Sequence, residues 1–345
     1  MKIAVLNAGS SSLKFKIFDM QTKELLLSKS VQNIGEKGSS ILTHHEAIKS
    51  LGIDFSSLSA IAHRVVHGGD LFSKATLIDA QVMRAIKSII PLAPLHNPAN
   101  LEGILVCQKK APSLPQVAVF DTAFHMSLPK EAYMYALPLE MYETHKIRRY
   151  GFHGSSHAYV SKKAAEILKK DINELNLITL HLGNGASACA IENGKSIDTS
   201  MGFTPLEGLI MGSRCGDIDP AIVLYMQREL GLSVDEVDAL LNKKSGLLGI
   251  CGVNDLRLLL NTQDENAKLA LNMMIRRIKK YVGAYMALLG RVDAIVFTGG
   301  IGEHSVFVQE SVLESEMFKN VQSLVIETDE ELEIAMECLE VLEYM

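Results

Sequence analysis

Two turns built almost wholly from small residues are the first places where this chain could do chemistry. Asn7-Ala8-Gly9-Ser10-Ser11-Ser12 and Gly183-Asn184-Gly185-Ala186-Ser187 let backbone N–H groups come close to an anion, and their Ser and Asn side chains add hydrogen bonds. A pair of such turns would grip a phosphate chain from two sides. Either turn alone suits an ordinary hairpin, and it is the repetition that argues for function. No G-x-x-x-x-G-K-[ST] occurs and no G-x-G-x-x-G follows a strand, so P-loop and Rossmann phosphate sites lack support. Arg64 and Arg214 sit among Gly, His and apolar residues, which favours a functional cation over a solvated one. His153 and His157 have the spacing of a helical metal pair, but Gly151-Phe152-His153-Gly154 reads as a loop and no third ligand is spaced for zinc. His67, His96 and His125 suit a site or a satisfied core equally well.

Such residues need elements to hold them. Ile3 to Leu6 reads as a strand, and Leu13-Lys14-Phe15-Lys16-Ile17-Phe18 alternates apolar and polar residues, so the pair predicts a β-hairpin. The pattern returns in Leu177 to Leu182, the second turn and Ala188 to Glu192, followed by the favoured hairpin turn Asn193-Gly194 and by Lys195-Ser196-Ile197. Two hairpins about 175 residues apart predict a duplicated domain. Further apolar runs lie at Ala60-Ile61-Ala62, Val117 to Phe120 and Ala294 to Phe297, the last ending at Thr298-Gly299-Gly300-Ile301-Gly302. Helical patterns cover about Ala80 to Ile90, His157 to Lys169, Pro220 to Leu230, Val234 to Leu241 and Glu265 to Leu289. Strands alternating with helices indicate an α/β fold. Asp329 to Glu343 reads as an acidic amphipathic helix with Leu332, Ala335, Met336, Leu339 and Leu342 on one face, expected to cap a domain surface.

The 345 residues are enough for about two domains. A chain that is 48% hydrophobic and 21% charged is neither disordered, collagenous nor a coiled coil. With 34 Lys and Arg against 40 Asp and Glu the net charge is −6, which offers no general attraction to nucleic acid or anionic lipid. No run approaches the roughly 18 apolar residues of a membrane span, and Met1 to Leu6 is too short for a signal peptide. Five scattered cysteines with no C-x-x-C pair indicate neither a disulfide framework nor a zinc site. A soluble protein of the reducing cytoplasm, without nucleic-acid or membrane partners, is expected.

Longer blocks carry a family resemblance. Asn7 to Phe15, His63 to Gly69 (His-Arg-Val-Val-His-Gly-Gly), Phe120 to His125 (Phe-Asp-Thr-Ala-Phe-His) and Tyr150 to His157 (Tyr-Gly-Phe-His-Gly-Ser-Ser-His) resemble the acetate kinase family. So do His181 to Ser187, Gly202 to Leu209, Gly212 to Pro220 and Gly299 to Glu303, so that the likeness spans nearly the whole chain. It implies two duplicated α/β domains of the sugar kinase, Hsp70 and actin (ribonuclease H-like) type, with a nucleotide cleft between them. The expected division is 1–122 plus 331–345 and 123–330. The implied activity is reversible phosphoryl transfer from MgATP to acetate, giving acetyl phosphate and ADP. Propionate or another short acid as acceptor, or a catalytically weak nucleotide-binding protein of the same fold, are the alternatives. The family is dimeric, which implies a homodimer and leaves Ile278, Tyr281, Val282, Tyr285 and Leu289 as either core or interface.

The resemblance also implies roles. Arg64 would hold the acetate carboxylate and Arg214 the phosphoryl in flight, with Asp121, His153 and His181 lining the same catalytic site. Val66, Leu95, Phe152 and Pro205 would pocket the acetate methyl. Lys14, His181, Gly183, Asn184 and Gly185 would meet the nucleotide phosphates, while Asp255, Arg257, Gly300, Ile301 and Gly302 frame the adenosine. Asn7 and Glu330 would orient Mg²⁺, or Mn²⁺, through waters; Glu330 reads equally as the solvated start of a helix. Asp121 suits an orienting or magnesium-linked group better than a base, since an acetate-like acid is already ionised at pH 7. Compared with the family, the stretches from Phe18 to His63 and from Glu303 to Glu330 are short, and His304 and Gln309 replace the usual Asn and Arg near the nucleotide base.

Overall fold

Strand formation starts where burial on both faces leaves no room for alternation. Lys2–Ala8 (β1) is buried from Ile3 onward, and Leu13–Asp19 (β2) runs antiparallel to it with Lys2 opposite Asp19 and Ala8 opposite Leu13. The structure, a computed structural model, describes residues 1–9, 11–36, 38–94 and 96–344. Glu24–Val31 (β3), Ala60–Val65 (β4), Thr76–Leu77 (β5) and Gln116–Phe120 (β6) complete a first sheet ordered β3-β2-β1-β4-β6-β5, in which β1, β4 and β6 are parallel. The second sheet holds Asn176–Leu182 (β7), Ala186–Glu192 (β8), Lys195–Thr199 (β9), Ala294–Thr298 (β10) and Gln322–Val325 (β11), ordered β11-β10-β7-β8-β9. Five strands of the first sheet match the five of the second, with β5 the extra one: β7-β8-β9 repeats the meander β1-β2-β3, and β10 and β11 repeat the parallel strands β4 and β6. The duplication visible in the hairpins therefore extends through both sheets.

The chain divides into two compact units. Unit 1 takes Met1–Met126, Gly154–Tyr159 and Asp329–Met345, and unit 2 takes Ser127–His153 and Val160–Thr328. In unit 1 the helices Asn97–Lys110 and Glu330–Glu343 pack on β1 and β4, and the second reaches β6 as well. The helix His44–Ser50, fixed by a Thr43/Glu46 capping box, packs on Asn97–Lys110. Burial on the C-terminal helix differs from its apolar stripe: Glu331, Leu332, Glu333, Ile334, Ala335 and Cys338 are buried, while Met336, Leu339 and Leu342 are half-buried. Two carboxylates thus enter the interior where the pattern predicts only apolar contact.

In unit 2 the helix Glu265–Leu289 starts at the N-cap Asp264, ends before Gly290 and packs on β7 and β8. Of the stripe Ile278, Tyr281, Val282, Tyr285 and Leu289, all but the half-buried Tyr281 are buried in the core of unit 2. Thr298 closes β10, and Gly299–His304 forms a short helix directly after it. The helix Pro220–Arg228 has no buried residue at all.

Candidate active site

The C-terminal ends of the parallel strands place the charged residues of unit 1. Asn7 ends β1, Arg64 lies on β4 and Asp121 follows β6, so three neighbouring strands deliver three polar groups to one edge of the sheet. Arg64 forms a bidentate pair with the buried Asp121, Nε to Oδ1 at 2.8 Å and Nη2 to Oδ2 at 2.6 Å, and Nη1 donates to Asn7 Oδ1 at 3.1 Å. Burial opposes the Arg64 cation, but the Asp121 carboxylate outweighs it and raises its pKa. These bonds use three of the five guanidinium N–H donors, which leaves two for a further carboxylate. Burial pushes Asp121 above the usual aspartate range, Arg64 pulls it back, and the nearby Glu330 pushes it up again.

The start of the C-terminal helix completes this cluster. Asp329 caps it by accepting from Leu332 N–H at 3.1 Å. Glu331 accepts from Lys16 Nζ at 3.0 Å and from Asn7 Nδ2 at 3.3 Å, while Lys14 Nζ lies 4.0 Å away. Lys14 and Lys16 alternate with buried Leu13, Phe15 and Ile17, so β2 points both amines to one face. Burial works against the Glu331 anion, yet Lys16 and Lys14 prevail and lower its pKa. Glu330 has the opposite balance, raised by burial and by Glu331 against the pull of Arg64. The sequence singles out Glu330; the direct bonds to Lys16 and Asn7 belong to its neighbour.

Asparagines hold the strand ends in place. Asn100 donates to Ala8 O at 2.6 Å and accepts from Val66 N–H at 3.1 Å, tying the end of β1 to the end of β4. Asn97 closes a two-way bond with the backbone of His67, and Thr122 Oγ1 accepts from Gly68 N–H. Both asparagines begin a helix that the sequence pattern does not reveal, because Pro98 and polar residues interrupt its apolar period.

Unit 2 assembles a second cluster around the turn between β7 and β8. Gly183 N–H donates to Gly185 O at 3.0 Å, and Asn184 O accepts from Gly212 N–H at 3.0 Å. The imidazoles of His153 and His181 stack at 4.3 Å, and His153 Nδ1 lies 2.9 Å from Ser187 Oγ. His153 occupies the left-handed region at φ 57 and immediately precedes the helix Gly154–Leu168, so His153 and His157 do not share a helix face. A Cβ on Gly185 would lie 3.4 Å from Arg214 Nη1 and 3.5 Å from His153, so arginine, imidazole and glycine turn converge. Arg214 itself donates to Pro205 O at 3.2 Å and approaches Met211 Sδ, with no carboxylate partner among the described residues. Burial lowers its pKa. A half-buried guanidinium without a counter-charge is an anion site in waiting.

Other sequence candidates fall elsewhere. Asp255, half-buried, and the exposed Arg257 bond each other bidentately, with Asp255 also capping the helix Leu256–Leu260. Gly300 has open space around its Cα, whereas Gly299 is pressed against Leu182 O. Glu303 Oε1 accepts from Gly299 and Thr328 N–H, and Gln309 donates to Gly302 O at 2.7 Å, which fixes the Gly300-Ile301-Gly302 segment. Val66 lies in unit 1 at the end of β4; Phe152 and Pro205 lie in unit 2. Leu95 lies outside the described residues. Among the described residues no three His, Cys, Asp or Glu are grouped to hold a metal ion.

The strand order repeated in the two sheets is that of the duplicated sugar kinase, Hsp70 and actin type of fold. Within that class the chain belongs to the Acetokinase family, whose model matches residues 2–53 and 41–341. It is 57% identical to an acetate kinase of Sulfurimonas denitrificans over 382 aligned positions, covering 98% of each chain, and 51% identical to one of a Sulfurovum species. Its structure is similar to that of the Porphyromonas gingivalis acetate kinase, with a TM-score of 0.93, 39% identity and 99% of each chain covered. A propionate kinase from Francisella tularensis is similar at a TM-score of 0.91 and 43% identity, with 97% of this chain and 98% of the other covered.

Proposed function

We propose that the protein transfers the γ-phosphoryl group of ATP to a carboxylate oxygen of acetate, reversibly, giving acetyl phosphate and ADP. One observation carries this reading: Arg214 lies without a carboxylate beside the Gly183-Asn184-Gly185 turn and the stacked His153 and His181. Acetate is ionised at neutral pH and needs no base, so catalysis rests on orientation and charge compensation. The acceptor oxygen forms its bond to phosphorus as the bond to the β,γ-bridging oxygen breaks, and ADP leaves with that electron pair. Arg64 offers its two remaining N–H donors to the acetate carboxylate, with Asp121 and Asn7 holding the guanidinium in plane. Arg214, His153 and His181 stabilise charge on the equatorial phosphoryl oxygens, and Asn184 and Gly185 line the phosphate turn together with Gly183. Lys14 contributes a cation to the phosphates, and Asp255, Arg257 and Gly300 to Gly302 frame the adenosine. Val66, Leu95, Phe152 and Pro205 are assigned to the acyl methyl. Production of acetyl phosphate from ATP and acetate, followed by ³¹P NMR, tests the reading; ATP consumption without that signal would sink it.

The donor chemistry of unit 1 suits a hard cation. Glu330 is a carboxylate whose neighbours include Asp121 and Glu331; burial and the Glu331 charge raise its pKa against the pull of Arg64. Mg²⁺, or Mn²⁺, typically takes one or two such oxygens and otherwise water and phosphate, so Glu330 and Asn7 are assigned to it. Bound there, the ion would neutralise phosphate charge. Propionate as acceptor is the second reading, favoured by the likeness to the Francisella propionate kinase. We also infer a homodimer, supported by the apolar side chains Ile222, Leu224 and Tyr225 exposed on a helix with no buried residue; sedimentation at a monomer mass would refute it. Five cysteines without a disulfide support a cytoplasmic setting, which fractionation of the source cells would check.

A further inference from the structure

The loop that carries Arg214 is closed at a neck. Asp217 N–H donates to Gly208 O at 3.0 Å, and Gly208 N–H donates to Asp217 Oδ1 at 2.8 Å. Arg277, on the helix Glu265–Leu289, reaches both backbone segments at this point. Its Nη1 donates to Gly208 O at 2.8 Å and its Nη2 to Asp217 O at 3.1 Å, while Nη1 lies 3.5 Å from Asp217 Oδ2. Tyr281, one turn further along the same helix, donates to Asp217 Oδ2 at 2.9 Å. Met274 and Ile278 are buried on either side of Arg277, so the guanidinium projects from a fixed base.

Arg214 depends on such support. Among the described residues its side chain bonds a carbonyl and a thioether, so its direction is set largely by the backbone beneath it. That backbone docks on the segment 241–248: Ser245 N–H donates to Ser213 O at 3.0 Å, Leu247 N–H to Met211 O at 3.0 Å, and Cys215 N–H to Leu241 O at 3.1 Å. The neck fixes where the loop leaves and re-enters the body. A planar guanidinium can donate to two carbonyls in parallel from a rigid fork, whereas a lysine ammonium is a compact charge whose three donors lack that fixed geometry.

We propose that Arg277 is a positioning residue for phosphoryl transfer, stapling both carbonyls at the neck of the 209–216 loop so that Arg214 meets the transferring group in register. The proposal rests on the role of Arg214 given above. Arg277→Ala is expected to lower kcat by roughly 10²-fold, the cost of moving a catalytic group by about an ångström, with the KM values for ATP and acetate little changed. Arg277→Lys keeps the charge and one bond; it should show an intermediate loss and serves if the alanine variant does not fold, with the thermal midpoint of each variant measured alongside. The decisive arm is the double variant: in an Arg214→Ala background, adding Arg277→Ala should cost almost nothing more in kcat, because no guanidinium remains to be misplaced. An equal loss in both backgrounds, or folded Arg277 variants with wild-type kcat, overturns the proposal and leaves Arg214 standing. Wild-type kcat in Arg214→Ala alone removes Arg214 from the mechanism and the proposal with it.

Discussion

At the residue scale, the two arginines differ in what already holds them. Arg64 is locked by Asp121 and Asn7, whereas Arg214 has no counter-ion among the described residues, which is why the transition-state role is proposed for Arg214. Arg214→Ala should lower kcat by roughly 10³-fold with a smaller change in KM, as for arginines that act in phosphoryl transfer; steady-state kinetics showing an unchanged kcat would exclude it. The adjacent acids Glu330 and Glu331 separate in the same way. Glu330→Gln should raise the magnesium concentration needed for activity. Glu331→Gln should instead lose stability, by about 1 to 3 kcal/mol at neutral pH, because it breaks charged hydrogen bonds to Lys16 and Asn7. The pKa of Glu331 is depressed in the folded protein, so its contribution is complete above the usual glutamate value near 4.5 and fades as pH falls through the depressed value. Thermal midpoints of wild type and Glu331→Gln should therefore converge on acidification; a gap independent of pH would argue against the Lys16 pairing. Arg64 and Asp121 were both legible as candidates, but their bond was not, since 57 positions separate them and only the sheet order brings them together.

At the element scale, legibility followed length and capping. Glu265–Leu289 is bounded in the sequence by Asp264 and Gly290 and carries a steady apolar period, so its limits could be read directly. Asn97–Lys110 lacks such a period, and with it went Asn97 and Asn100, which fasten the ends of β1 and β4. The turn between β7 and β8 was plain as a motif, yet what shapes it was not: Gly212 meets it from 28 positions away. A Cβ there would collide with Asn184 Oδ1, so Gly212→Ala must turn the Asn184 side chain away from its place in the turn. The backbone bond from Gly212 to Asn184 can persist, so the expected outcome is a raised KM for ATP with a nearly unchanged thermal midpoint. An unchanged KM for ATP would detach Asn184 from nucleotide binding.

At the scale of the whole molecule, the duplication explains why so short a chain keeps both clusters. Alignment with the Sulfurimonas relative runs to 382 positions, more than the 345 residues present, but the two stretches that read as short still supply β3 and β11, so each sheet keeps its full set of matching strands. The charged groups of unit 1 and the turn between β7 and β8 in unit 2 depend on those sheets and on the residues just beyond their strand ends. Acyl preference tests the proposed chemistry, because residues assigned to a single methyl group would resist an added methylene. The most direct measurement is hydroxylamine trapping of the acyl phosphate formed from ATP and acetate, propionate or butyrate in parallel. Acetohydroxamate should form fastest, with propionate used roughly 10 to 100 times less efficiently and butyrate less again, as expected when overfilling costs about 1 to 3 kcal/mol. Propionate ranking first would replace acetate as the substrate, and ATP binding with no hydroxamate from any of the three acids would contradict phosphoryl transfer to a carboxylate altogether.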